Sequence, residues 1–133
     1  MDKHVQEIMQ ECSAGSDQGR LTFPDVVRKL AAAGVERYHA DLCRAEKTYY
    51  MPDAASHITP SATISTIPAS EFDAAGIVAA LKAIQAGKTD YQTFCEEIAA
   101  AGCVGYLVCI GGRRAVYYGR KGDTYVESFP AAL

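Results

Sequence analysis

Residues 30–50 read LAAAGVERYHADLCRAEKTYY, and residues 98–118 read IAAAGCVGYLVCIGGRRAVYY. Laid over one another at an offset of 68 residues, the two stretches need no gap: Ala31 to Gly34 falls on Ala99 to Gly102, Tyr38 on Tyr106, and Tyr49-Tyr50 on Tyr117-Tyr118. Extending the comparison to residues 19–59 adds Gly19 on Gly87, for eight identities in 41 positions, several times what chance pairing gives. Arg20 with Lys88, Phe23 with Tyr91, Leu30 with Ile98 and Ile58 with Val126 are conservative matches between them. The chain reads as an internal duplication.

Each copy changes period at its Ala-Ala-Ala-Gly. Before it, Phe23, Val26, Val27, Leu30 and Ala31 recur at helical spacing, as do Tyr91, Phe94, Cys95, Ile98 and Ala99. Thr22 and Asp90 stand where a side-chain oxygen caps the first turn, and Gly34 and Gly102 where a left-handed residue stops the last. Earlier stripes, Val5, Ile8, Met9, Cys12 and Ile77, Ala80, Leu81, Ile84, predict a preceding helix in each copy, with four extra residues separating the first from its partner. Ser70 with Asp73 resembles a capping box for the later one.

After each glycine the period becomes two. Strands are predicted over 35–43 and 46–51, and over 103–110 and 114–119, with third strands at 56–59 and 124–129. Residues 60–69, with Pro60 and Pro68 among Ser, Thr and Ile, read as a linker. The expected fold is α+β: one domain over 1–133, made of repeats 1–59 and 70–133. Two helix-helix-β-meander units are related by a pseudo-two-fold axis, with antiparallel sheets packed with four helices and each unit covering the apolar faces of the other.

The 133 residues (14.3 kDa) are 49% hydrophobic and 22% charged, with mean hydropathy −0.05, which excludes disordered and fibrous classes. A net charge of −3 and a pI near 5.5 have the wrong sign for general nucleic-acid binding. Met1 to Gln10 lacks the apolar run of a signal peptide, and no membrane-spanning stretch is present, so a cytoplasmic protein is expected. Five cysteines without a close pair fit reduced thiols.

From Gly87 the chain runs Gly-Lys-Thr-Asp-Tyr-Gln-Thr-Phe. Ala-Gly-Cys-Val-Gly-Tyr follows at 101–106, Gly-Gly-Arg-Arg at 111–114, Tyr-Tyr-Gly-Arg-Lys-Gly-Asp at 117–123 and Glu-Ser-Phe-Pro at 127–130. This pattern resembles the YdfO-like family of bacterial and prophage proteins, domain of unknown function 1398, over nearly the whole chain. The resemblance implies a duplicated α+β fold and carries over no activity and no catalytic residues.

The residues point to chemistry in one place. Cys12, Cys95, Cys103 and Cys109 sit in apolar patterns, and Cys43, near a hairpin tip, is about 13 Å along an extended strand from His39, too far for a dyad. His4, His39 and His57 lack metal-ligand spacing, and the Gly-rich turns precede no helix, so no metal and no cofactor is expected. In the second hairpin both faces look buried: Tyr106, Val108 and Ile110 on one, Leu107, Cys109, Val116 and Tyr118 on the other. The first hairpin carries His39, Asp41, Thr48 and Tyr50 on that second face. Ionisable groups where the other copy has apolar ones must be wet, hydrogen-bonded or occupied. His39, Asp41 and Tyr50 are therefore the candidate binding residues of a non-enzymatic interaction or ligand-binding module. Its partner would be a protein or a small molecule, a homodimer being one form. The alternative is a small enzyme with His39 as acid or base, Asp41 orienting it and Tyr50 donating a hydrogen bond.

Overall fold

In the computed structural model, which describes residues 1–130 and Leu133, the chain order is α1 (Lys3–Asp17), α2 (Phe23–Ala32), β1 (Arg37–Asp41), β2 (Glu46–Tyr50), β3 (Ser56–Pro60), α3 (Ala74–Gln85), α4 (Tyr91–Ala100), β4 (Cys103–Cys109), β5 (Arg114–Gly119) and β6 (Thr124–Ser128). The caps explain the boundaries. Thr22 and Asp25 form a reciprocal capping box on α2, and Asp90 Oδ1 accepts from the Thr93 amide at 2.8 Å on α4. The N-cap of α3 is Asp73, which makes no side-chain cap bond, so the box expected from Ser70 is not formed. Helices α1 and α3 end at Asp17 and Gln85, 68 positions apart, and no four-residue insertion separates them. Instead α1 starts earlier, where Asp2 accepts from the His4 amide, and Met9, Cys12 and Ser13 are buried where α3 buries Ile77, Ala80 and Leu81.

The six strands form one antiparallel sheet in the order β3-β2-β1-β4-β5-β6. This corrects the expectation of separate sheets covering one another: the two meanders join side by side, through β1 and β4. The first strand of each meander has a free edge of unpaired amides and carbonyls, and pairing these two edges satisfies both rows at once. All four helices then share one face. That face buries Tyr38, Ala40, Tyr49, Tyr106, Val108, Ala115 and Tyr117 against Met9, Leu30, Ile77, Phe94 and Ile98. Tyr38 lies 5.2 Å from Tyr49 and 6.4 Å from Tyr106, Tyr106 lies 5.2 Å from Tyr117, and the Tyr91 hydroxyl bonds that of Tyr106 at 2.7 Å. The inner tyrosine of each doublet is thus core, and the outer one, Tyr50 or Tyr118, is half-buried on the other side.

Residues 61–69 hold no helix or strand and are fastened to α4. Glu96 accepts from the Ser65 and Thr66 amides and from Ser65 Oγ, while the Arg120 guanidinium reaches Pro68 O at 2.7 Å. Hydrogen bonds from Thr66, then Ser65, hold the Glu96 carboxyl down at about 2. The clamp is therefore complete above the ordinary glutamate range and is lost only as pH falls toward that value.

Gly102 closes α4 with φ +94°, and a Cβ there would lie 2.2 Å from Glu71 O, on the backbone that leads into α3. Gly102→Ala is expected to cost about 2 kcal/mol or more, through the left-handed conformation and the clash together. Gly111→Ala, where nothing lies within 4 Å, should leave the urea-unfolding midpoint nearly unchanged.

Candidate functional site

Because side chains alternate across a sheet, the helix-free face is written by the strand register. Its central row takes one residue from each strand: Ile58, Thr48, His39, Leu107, Val116 and Val126. One flanking row carries Tyr50, Arg37, Cys109 and Arg114, and the other carries Glu46, Asp41, Gly105 and Tyr118. Leu107, Cys109, Val116 and Tyr118 were expected to be buried; they are half-exposed, because the helices supply a layer on one side only. Ile58 is 57% and Val126 48% exposed. The two hairpin faces contrasted in the sequence are one continuous surface.

His39 occupies the middle of it. Its Nε2 lies 2.8 Å from the Tyr118 hydroxyl, with the rings stacked at 5.8 Å between centroids and 30° between planes. Tyr118 stands on β5 and must reach across β4 to β1, and Gly105 makes that path: a Cβ there would sit 2.7 Å from Tyr118 Oη and 2.8 Å from Ala40 O. Burial lowers the His39 pKa against the opposing field of Asp41, and burial raises that of Tyr118, with the Asp41 charge adding to it. The pair at neutral pH is a neutral imidazole beside a protonated phenol, a donor and acceptor set suited to holding a partner's polar group.

The other two candidate residues share the face and have separate roles. Asp41 Oδ1 accepts from the Cys43 and Arg44 amides, both at 3.0 Å, and so closes the β1–β2 turn. The Tyr50 ring lies under the Arg37 guanidinium, 4.3 Å from it, and the hydrogen-bond partner of His39 is Tyr118 instead. Tyr118 shares a parity class with Leu107 and Cys109, and a glycine inside a strand signals close approach, but linking them to His39 requires the β1–β4 pairing.

A second polar group lies on the helix side. Ser13 Oγ bonds the Tyr49 hydroxyl at 2.7 Å and Thr59 Oγ1 at 2.6 Å, and Lys47, 2% exposed, lays its ammonium 4.3 Å from the Tyr91 ring centroid. Burial drives the Lys47 pKa down, with Asp17 opposing. Its signal was available: Lys47 has the parity of Tyr49, and the residue 68 positions further on is Ala115. Burial also pushes the Cys12, Cys95 and Cys103 thiols up to about 11, which makes them poor nucleophiles. Among the described residues no three His, Cys, Asp or Glu stand together as metal ligands. Nor is any helix long and apolar enough to cross a membrane.

These features define an α+β protein with a single six-stranded sheet, helices on one face and a bare aromatic-apolar surface on the other. The chain belongs to the DUF1398 family, described as proteins of unknown function, whose profile matches residues 53–128. The resemblance read from the sequence is established at that level. Uncharacterized proteins of Mycobacterium bovis and Mycobacterium tuberculosis are 30% identical to it over 112 residues, spanning 82% of this chain and 67% of each relative. The matched family region contains Gly105 and Tyr118, and His39 lies before it.

Three outcomes follow for these groups. The folded pKa of His39 lies below its ordinary 6.5, so the unfolded chain takes up the proton first. Stability is full above that value and falls as pH drops through the folded pKa, and urea titrations should show this slope flattened in His39→Gln. Ser13→Ala, which leaves two buried hydroxyls short of a partner, should cost about 1–3 kcal/mol. Lys47→Met should be neutral or stabilising at neutral pH, with its advantage shrinking as pH rises toward the ordinary lysine value of 10.5.

Proposed function

We propose that the protein is a non-enzymatic interaction module whose partner docks on the open sheet face around His39. The observation that carries this reading is the central row. Six side chains from six strands lie side by side, four of them aliphatic, with charged residues in the rows on either side. A flat face suits a protein better than a small molecule, which needs a concave site. Two shallow clefts lie elsewhere. One of about 360 Å³ is lined by Ser13, Asp17 and Thr59, and one of about 320 Å³ by His4, Glu11 and Lys29. That placement also weighs against His39 as an acid or base in an enzyme, since neither cleft would hold a substrate beside it.

The same reading takes the chain as a duplicated unit with a pseudo-two-fold axis, and the ladders support it. Tyr38 pairs with Tyr49 as Tyr106 pairs with Tyr117, and Tyr49 pairs with His57 as Tyr117 pairs with Tyr125. The left-handed residues recur at the same 68-residue offset: Gly19 with Gly87, Gly34 with Gly102, Ala45 with Arg113, and Ala54 with Gly122. In this frame His39 and Leu107 are equivalent positions that pair with each other, so the axis passes between them. The centre of the face is then a place where the two halves differ in chemistry, an imidazole beside an aliphatic side chain.

In-host photo-crosslinking tests the assignment. A photoreactive residue at Thr48 or Val116 is expected to give a discrete adduct of higher mass, and one at exposed Glu7 on α1 should give none. Face positions that yield no adduct, or no more than Glu7 does, overturn the proposal.

A further inference from the structure

We infer that the occupant of the open face is a second copy of this chain, packed sheet to sheet about a two-fold axis that runs along the central row. The inference rests on the interaction reading above and names its partner. Its warrant is the distribution of charge. One flanking row carries Arg37 and Arg114 and no acid; the other carries Asp41 and Glu46, of which Glu46 is paired with Arg44 of the β1–β2 turn and Asp41 is left to face the second copy. A two-fold axis along the central row lays the basic row of each copy over the acidic row of the other, with Arg37 above Asp41 of the second copy and again in the reverse direction. An axis parallel to the strands would set basic row on basic row. Complementary rows therefore select both the register and the hand of the contact.

The central row meets itself under this operator, so Ile58, Leu107, Val116 and Val126 each pack on their own counterparts. Face-to-face sheets align within about 30°, which keeps the row in contact near its middle, where Leu107 lies. Arg37 retains donors for this role, since its ion pair with Glu36 and its stacking on Tyr50 leave part of the guanidinium free. Size fixes the strength expected. Six strands about 4.8 Å apart and five residues of about 3.4 Å each give a face of about 500 Å² per copy, or about 1,000 Å² for the pair. That is the small end of specific interfaces, the range of weak and reversible contacts, so a reversible dimer is expected.

Sedimentation equilibrium of the full chain, from about 10 μM to about 1 mM at low ionic strength, tests this. A reversible monomer–dimer equilibrium is expected. Val116→Glu and Arg37→Glu should each weaken it about tenfold or more, and Arg37→Glu combined with Asp41→Asn, which keeps the turn's acceptor oxygen and removes the charge that the introduced carboxylate would face, should recover part of the loss. Circular dichroism and amide NMR dispersion verify that each variant is folded, and Val126→Lys, at an exposed position on the last strand, serves if Val116→Glu does not fold. A chain that stays monomeric to 1 mM overturns the second-copy assignment, while a discrete heterologous adduct in the in-host crosslinking would keep the interaction reading. A dimer indifferent to Arg37→Glu and to both valine variants uses another surface and also overturns the assignment. The interaction reading is itself sunk only if the crosslinked face positions are silent.

Discussion

The pairing of β1 with β4 is the constraint on which the rest of the molecule depends. It joins two three-stranded meanders, each too small to bury a face alone, into a sheet wide enough to carry four helices. Its register brings Ala40 opposite Tyr106 and Tyr38 opposite Val108, so that Tyr38 and Tyr106 meet at 6.4 Å under the helices. On the other side of the same seam it sets His39 beside Leu107 and within reach of Tyr118. Core and candidate surface are thus two sides of one ladder, and a shift of one residue would exchange them.

Local structure was legible because its determinants are local. The apolar stripes, Thr22 and Asp90 as caps, and the stopping glycines predict α2 and α4 within a residue, and alternation predicts every strand. The β1–β4 pairing was not legible, since strand edges from the two meanders can meet in a shared sheet or be covered by another layer with the same alternation. With that choice open, alternation reads the outer face of the second hairpin as core. The candidate residues show the same division. His39, Asp41 and Tyr50 do share a face, as parity alone requires, whereas Tyr118 and the gap at Gly105 belong to the site through a contact between residues 79 apart. The start of α1 escaped for a smaller reason, its first turn being polar and set by the Asp2 cap.

The buried polar groups divide by partner. Ser13, Tyr49 and Thr59 satisfy one another and lock α1 to β2 and β3. Lys47, with an aromatic ring as its near neighbour, is held charged only at a cost, so it is the inward position where an apolar side chain would serve the fold at least as well. On the open face the polar groups are half-solvated and cost little to keep, which leaves them free to be chosen for what they contact.

The two outermost strands, β3 and β6, bear on how this sheet avoids self-propagation. Each is five residues long, β3 ending at Pro60 and β6 stopping two residues before Pro130. Short margins closed by an imino acid give an incoming strand few groups to bond, and a proline supplies no donor to extend the ladder. Growth of the sheet sideways into a fibril is thereby discouraged at both margins, even though the seam at its centre joins strands from opposite halves of the chain. A molecule built by strand addition within itself has its rims blunted against repeating that addition with its neighbours.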